Sequence, residues 1–487
     1  MNLFRKKSLD AFEADMKKSE LKRVLGKWSL TAIGIGAIIG GGIFVLTGTG
    51  AYYHAGPALA LSFIIAGIAC VFAALCYSEF ASMIPVEGSA YAYAYGTIGE
   101  IFAWIIGWGL ILEYAMGSMT VAVSWSGYFN KLIGLFGMHL PDYLTQDPGS
   151  YQGVGFSMNL PATIIVLLVT ALLVKGTKEA AKANNVIVVL KVSAVLFVII
   201  VGAFCINTAN WHPFIPEATT IVDHGVSRDA YGWGGIISGA AAIFFAYVGF
   251  DAVSTQAGEA INPKKDVPFA IVASLLVCTV LYILVSLILT GMMNYTDFNP
   301  VGKYPTAIKA PVAMAFEIAG MPWAVFIITV AATVGLISVL MVMMLGQSRI
   351  FLGMSKDGLI PKFFSEIHPV NKTPYKNSIF LGVIIAGVAG FTPISTLADM
   401  TSFGTLFAFT MVCIAVWLLR IREPNLQRNF KVPALPVIAV CGILINTFLM
   451  YKLEHKAQLL SLGWLVIGLF IYFIYSQRNS KLNEPSA

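Results

Sequence analysis

The sequence predicts an all-α integral membrane protein with twelve transmembrane helices. Of its 487 residues, 57% are hydrophobic and only 11% are charged, with a mean hydropathy of +0.79. A water-soluble domain carries roughly 25% charged residues. Apolar runs close to the ~20 residues that cross a bilayer recur along the whole chain.

From the N-terminus, residues 1–27 are polar and charged and hold no short apolar core with a cleavage site, so no cleavable signal is expected. Residues 8–27, SLDAFEADMKKSELKRVLGK, set Leu9, Phe12, Met16, Leu21 and Leu25 among charges. This reads as an amphipathic helix on the inner membrane surface within 1–28, with a disordered basic tail as the alternative. Apolar spans follow near 29–50, 57–78, 97–125, 160–175, 185–207, 233–257, 268–291, 312–347, 377–393, 401–419, 433–451 and 459–476. The eighth is long enough to include a short external helix, and a polar tail, 477–487, closes the chain.

Lys and Arg set the orientation, because short cytoplasmic loops accumulate them. With the N-terminus inside, 24 of the 31 fall on the cytoplasmic side and 6 outside, namely Lys131, Arg228, Lys303, Lys309, Lys452 and Lys456. The one left is Lys191, inside span 5. Both termini are therefore expected in the cytoplasm. The net charge of +6 follows from this bias and gives no reason to expect nucleic acid; the surrounding partner is membrane lipid.

Span 1 contains GIGAIIGGGIF, Gly34–Phe44, with five glycines between Gly34 and Gly42. Each costs a helix about 1 kcal/mol against alanine. Span 6, GGIISGAAAIFFAYVGFDAVSTQAGE, carries Gly249 at mid-span. These spans open two blocks of five, 29–207 and 233–419, and the odd number turns the second block upside down; 433–476 adds spans 11 and 12. Interrupted helices at matching positions of inverted halves point to a transporter binding site, since non-helical backbone is tolerated at membrane depth only where it lines a cavity. A broken helix suits a zwitterion, because one half offers free N–H groups to a carboxylate and the other halves offer carbonyls to an ammonium. In this reading Gly40, Gly41 and Gly42 form the break. The N–H groups of Gly41, Gly42 and Ile43 face the carboxylate, and the carbonyls of Ile38, Phe245, Ala246 and Val248 face the ammonium. Close helix packing through Gly36 and Gly40 is the alternative.

Lys191, in NNVIVVLKVSAVLF, lies six residues beyond Asn185, roughly 9–10 Å along span 5 from its inner end. An ionisable residue at that depth is costly and is by default a functional candidate, here for proton exchange. A lysine snorkelling to the inner headgroups is the alternative. Glu113, near the middle of span 3, and Asp251, after the span 6 interruption, each read as a proton site, a cation partner or a hydrogen-bonded structural acid. Glu259 reads as part of a cytoplasmic gate. The six cysteines, Cys70, Cys76, Cys205, Cys278, Cys413 and Cys441, show no CxxC or ligand spacing, so neither a disulfide nor a metal site is expected. The six histidines are scattered, without an HExxH spacing, which argues against an enzyme. No repeated filter suggests a channel. A receptor that binds without transport would keep the same pocket.

GIGAIIGGGIF resembles the first-span signature of the amino acid–polyamine–organocation (APC) transporter superfamily. EFASMIPVEGSAYAYAYGTIGE, Glu79–Glu100, resembles its Pro-x-x-Gly-x-x-Tyr-x-Tyr pattern after span 2. GFDAVSTQAGEAINPKKDVP, QSRIFLGMSKDGLIPKFFSEIHPVNKTPYKN and RNFKVPALPVI are similar to the cationic amino acid transporter (CAT) branch, in a form lacking two spans of the vertebrate members. The match runs in order along nearly the whole chain. The resemblance implies a LeuT-like fold, a five-plus-five inverted repeat with broken helices 1 and 6 and two extra helices. It implies transport of L-amino acids across the plasma membrane by alternating access, without a cofactor. Sodium-driven relatives of this fold hold an ion between spans 1 and 8, and in proton-coupled members a span 5 lysine can place its amine there. Lys191 matches that lysine, with Ser338 in span 8 a weaker candidate neighbour. Proton symport is therefore expected, with solute exchange as the alternative. An accessory membrane subunit is left open.

By analogy the side-chain pocket draws on spans 3, 6 and 8, here Ile106, Gly107, Ile111, Tyr114 and Phe245. Phe245 is also a candidate lid, or else a core aromatic. A cationic side chain in such a pocket would need a buried partner, and Glu113 is the one acid nearby. The nearly apolar lining points to small or medium neutral amino acids rather than arginine or lysine.

Overall fold

A computed structural model of the chain describes residues 5–7, 25–83, 89–151, 153–176, 178–223, 226–254, 260–371 and 373–483. The amphipathic helix expected within 8–27 lies outside them up to Val24, as does Glu259. Among the described residues nine helical runs are apolar and long enough to cross a membrane, and two further apolar helices are shorter.

The chain order is α1 (Lys27–Ile38), α2 (Gly41–Phe44), α3 (Leu46–Gly50), α4 (Leu59–Met83), α5 (Ser89–Thr97), α6 (Glu100–Gly134), α7 (Leu160–Lys175) and α8 (Lys178–Ala203). A hairpin of β1 (Thr219–Asp223) and β2 (Val226–Ala230) follows. Then come α9 (Gly232–Ala242), α10 (Pro263–Met292), α11 (Pro311–Ile318), α12 (Pro322–Lys356), α13 (Tyr375–Phe391), α14 (Ile394–Arg422), α15 (Leu435–Lys452) and α16 (His455–Ile471). Proline opens α10, α11 and α12, where its fixed φ suits the first turn and its missing N–H costs nothing. The Asn159 side chain caps α7 by accepting from the Ala162 N–H at 3.2 Å.

The long eighth span divides into a short helix, α11, and a long one, α12, as its length allowed. The elements depart from the sequence expectation in two places. The third span runs as α6 to Gly134, nine residues past the expected end. The β1–β2 hairpin is an addition to the all-α reading; it fills the connection between α8 and α9, where Thr219, Thr220, Ile221 and Val222 supply the β-branched side chains a strand favours.

Packing sorts the helices into two groups. α4 packs most heavily on α10, with α1 and α9 beside them; α6 packs on α12, with α7 and α13 beside them. α8 touches both α10 and α12, and α14 touches both α4 and α6. The two groups are thus joined by a pair of straddling helices.

At one end the groups are tied by buried charge. Glu79, at 0% exposure, accepts from both Arg420 and the Val432 N–H (2.8 Å) and faces Arg428 Nε at 3.1 Å. Glu100 meets Arg5 at 3.2 Å and the hydroxyls of Tyr472 and Ser480. Asp357 meets Lys7 at 3.0 Å and the Tyr91 hydroxyl at 2.8 Å. Apart from Glu100 and Tyr472, which fall at the ends of spans 3 and 12, these residues lie in segments that the charge bias assigns to the cytoplasm. Removing one partner of a buried ion pair costs about 3–5 kcal/mol. Glu79→Ala is therefore expected to lower the apparent unfolding temperature of the detergent-solubilised protein, and an unchanged temperature would show that the guanidinium contacts carry no stability.

Candidate functional site

The first interruption falls at Ile39 and Gly40. The Ile39 N–H still donates to Ile35 O at 2.9 Å, but its ψ of 104° leaves the helix, and α2 begins at Gly41. The break thus precedes Gly41 and Gly42, which already form the first turn of α2. Their N–H groups and that of Ile43 are the donors that a helix start leaves without intrahelical partners. A Cβ on Gly42 would overlap the Ala246 backbone, and one on Gly41 would lie 2.6 Å from Ser124 Oγ. The bare backbone here is a packing requirement as well as a conformational one.

The second interruption begins at Ala242, earlier than the glycine in the sequence suggests. Residues Ile243–Tyr247 tighten into a 3₁₀ turn, Val248 becomes extended, and Gly249 takes φ +119°, which favours glycine. A Cβ on Gly249 would lie 2.8 Å from Ala37 O. The two interruptions therefore lie against each other, Gly42 on Ala246 and Gly249 on Ala37.

The carbonyls of Gly36, Ile38, Ile39 and Ala246 are each met by a specific side chain. Lys191, fully buried on α8, donates to Gly36 O, to Ile39 O at 3.1 Å and to Ser338 Oγ of α12 at 3.2 Å. An ammonium has three donors, and all three are used. Both carbonyls belong to the C-terminal end of α1, the negative end of its dipole. The Tyr282 hydroxyl, from α10, reaches Ile38 O at 2.8 Å and Ala246 O at 2.9 Å. Phe245 O accepts the Val248 N–H at 3.1 Å, and the Phe245 N–H donates to Ser402 Oγ of α14 at 3.1 Å. The carbonyls of Ile38, Phe245 and Ala246, expected to face an ammonium, are thus engaged within the protein.

Span 3 meets the site in a different register from the expected one. Ser124, at 1% exposure, faces Gly41, and its hydroxyl has no hydrogen-bond partner among the described residues. Phe245 lies on the same side, its ring 3.7 Å from a Cβ built on Gly41. Ile106, Gly107, Ile111 and Tyr114 are not brought to the break. Gly107 packs on Tyr91 and Met354; Ile106 and Ile111 are buried in the core; Tyr114 packs on Gly346 and donates to Asp251 at 2.9 Å. Gly107 and Tyr114 precede Ser124 by roughly 25 and 15 Å of helix. Ser124, in the C-terminal half of α6 and within the expected span, is the residue of that helix that lies against Gly41.

Asp251 and Glu113 are both 1% exposed, and neither makes an ion pair among the described residues. Asp251 is held by Tyr114, while neither Glu113 oxygen has a hydrogen-bond partner among the described residues. Gly404 of α14 packs directly on the Glu113 backbone. The site residues that sequence reading missed are Tyr282, Ser402 and Ser124. Serines in apolar helices commonly bond their own preceding turn, so nothing in the local sequence sets Ser124 and Ser402 apart, and Tyr282 is one tyrosine among several in apolar runs.

A family model described as amino acid permease matches residues 25–476. The chain is similar to a methylthioribose transporter of Bacillus subtilis, 44% identical over 99% of this chain and 100% of the relative. It is similar to a branched-chain amino acid permease of the same organism, 46% identical over 99% of each. It also resembles the vacuolar cationic amino acid transporter 4 of Arabidopsis thaliana, 37% identical over 87% of this chain and 68% of the relative.

Leaving a buried polar group without its partner costs about 1–3 kcal/mol. Tyr282→Phe deprives the Ile38 and Ala246 carbonyls of their shared donor and is expected to lower the apparent unfolding temperature, whereas Tyr451→Phe, on an exposed ring, serves as the unaffected control.

Proposed function

Because the chain belongs to the amino acid permease family of the APC superfamily and is related to the cationic amino acid transporters, we propose that it is a plasma-membrane carrier for neutral aliphatic L-amino acids. It takes them up with protons by alternating access. The observation that carries this reading is the seat of Lys191, a buried ammonium held by the end of α1 on one side and α12 on the other. A fixed cation there does what a bound metal cation would do, neutralising the negative end of a broken helix. When it gives up its proton, the bonds between α8, α1 and α12 weaken and α1 is released to move. Proton loss is thereby tied to the conformational step rather than to substrate binding itself.

In this reading the N–H groups of Gly41, Gly42 and Ile43 receive the substrate carboxylate, with the Ser124 hydroxyl beside them. The Val248 carbonyl and the free lone pairs of Ile38 and Ala246 are left for the ammonium. Phe245, and Val339 against Gly40, give the side chain apolar surroundings, which favours an aliphatic group over a charged one. Glu113 and Asp251 lie below the site and serve as a polar base under α9's exit. We read the fold as two inverted halves, 29–207 and 233–419, followed by 433–476, with twelve spans and both termini cytoplasmic. The two straddling helices, α8 and α14, hold the fifth place in each half, as such a repeat requires.

The name of the branched-chain permease relative agrees with this substrate class. The relative named as a methylthioribose transporter, similar from end to end, supports a second reading in which the substrate is an uncharged thiosugar. Uptake of labelled L-valine into sodium-free proteoliposomes tests both. A gradient of one pH unit is worth about 1.4 kcal/mol per proton, enough for roughly tenfold accumulation. Accumulation is expected to require an inward proton gradient, to be suppressed by excess L-leucine and not by L-arginine, and to be lost in Lys191→Met. Uptake that ignores the gradient but needs preloaded amino acid would instead mean exchange. Binding of methylthioribose with no uptake of any amino acid would establish the second reading.

A further inference from the structure

We infer that the starts of α1 and α10 together form a seat for one anionic phospholipid, its phosphate held by Lys27 and Lys265 and an acyl chain laid along the exposed face of α10. The two starts are fastened to each other. The Ile261 N–H donates to Leu25 O at 2.9 Å, a bridge joins Leu25 to Ala260, and the rings of Trp28 and Phe269 meet edge to face at 5.2 Å. Beyond them α1 packs along α10. Trp28 is 67% exposed and Phe269 39%. An aromatic pair left bare at the start of two spans belongs at the level where headgroups meet chains.

The charge beside these rings is unmatched. The Lys27 ammonium lies 5.6 Å from the centre of the Trp28 ring and 5.3 Å from that of Phe269. It makes no ion pair or hydrogen bond among the described residues. An aromatic face attracts the cation but leaves its three N–H donors for an anion. Lys265 stands one turn before Phe269, on the same side of α10, exposed and without a carboxylate partner among the described residues. Its neighbour in the chain, Asp266, turns back to accept the Asn262 N–H at 3.1 Å. Two cations on two helices thus flank one aromatic pair, and both lack an anion.

From Phe269 the exposed positions of α10 continue as Leu276, Val277, Val280 and Leu284. They fall within about 100° of one another around the helix, so they form one stripe. From Phe269 to Val280 the stripe rises about 16 Å, close to the depth of one leaflet's hydrocarbon. It starts where the two lysines stand. A phosphate at the lysines lets its chain follow the stripe. A choline lipid would bring its own cation to the same place, and an uncharged lipid would bring no anion. A lipid seated there ties the start of α1 to α10, at the far end of α1 from its break.

Quenching of Trp28 fluorescence by brominated lipid tests the inference, independently of any amino acid uptake. The purified full-length protein is placed in phosphatidylcholine nanodiscs, and phosphatidylglycerol or phosphatidylcholine brominated on its acyl chains is titrated in. The Trp28 signal is the difference between the wild type and Trp28→Phe. It is expected to be quenched at a several-fold lower fraction of the glycerol lipid than of the choline lipid. A lysine close to an anionic surface is worth roughly fivefold in affinity, so Lys27→Gln and Lys265→Gln are each expected to cut that preference several-fold, and the double variant to abolish it. Lys264→Gln, on another side of α10, is expected to keep it. Equal quenching by the two lipids, or a preference that survives the double variant, would overturn the inference. So would an equal loss in Lys264→Gln, which would mean diffuse attraction to the membrane surface. Excess inorganic phosphate is expected to leave the quenching in place, and reversal by it would replace the lipid seat with a site for free phosphate.

Discussion

Breaking a helix inside an apolar interior exposes carbonyls and N–H groups that must be met by something, and the rest of the site is arranged around that requirement. The protein meets it unequally. Carbonyls at the end of α1 are held by fixed side chains, the Lys191 ammonium and the Tyr282 hydroxyl. Among the described residues, the N–H groups at the start of α2 are given no acceptor, and the Ser124 hydroxyl beside Gly41 is itself without a partner. The positive end of a broken helix is thus the end kept available. An anionic group is what it attracts, and a carboxylate is the anionic group that every amino acid shares.

The two straddling helices divide the work between the two interruptions. α8 sends Lys191 to the first, and α14 sends Ser402 to the second, where it accepts the Phe245 N–H. One supplies donors to carbonyls, and the other supplies an acceptor to an N–H group. Neither belongs to the group of helices whose backbone it completes. Moving one group against the other must therefore stretch or exchange these bonds, so the same contacts that stabilise the broken segments also register where the groups stand.

Sequence reading reached the features that have a local signature. Glycines clustered in an apolar run marked the first interruption, and a lone lysine in a run of valines and leucines marked the cation site. What escaped it depended on distance in the chain. Tyr282 lies 244 residues from the carbonyl of Ile38 that it bonds, and no periodicity reports such a pairing. The lining expected on span 3 was displaced because a long helix permits several registers against a fixed break. Apolar residues such as Ile106 and Ile111 look the same whether they face a ligand or the core. The hairpin between α8 and α9 escaped because the connection over residues 204–231, lying between two spans, reads as a loop.

The inner closure has a consequence for how the chain behaves as a polymer. Arg5 bonds Asn483 as well as Glu100, so two positions 478 residues apart meet at one place. Lys481 donates its N–H to Asp357 O at 3.1 Å, beside Lys7. The described ends of the chain are fastened together over α6 and α12, which draws the polymer into a loop. A force applied at either end is therefore delivered first to one of the two helix groups, so cargo attached to the ends loads α6 and α12 rather than α4 and α10.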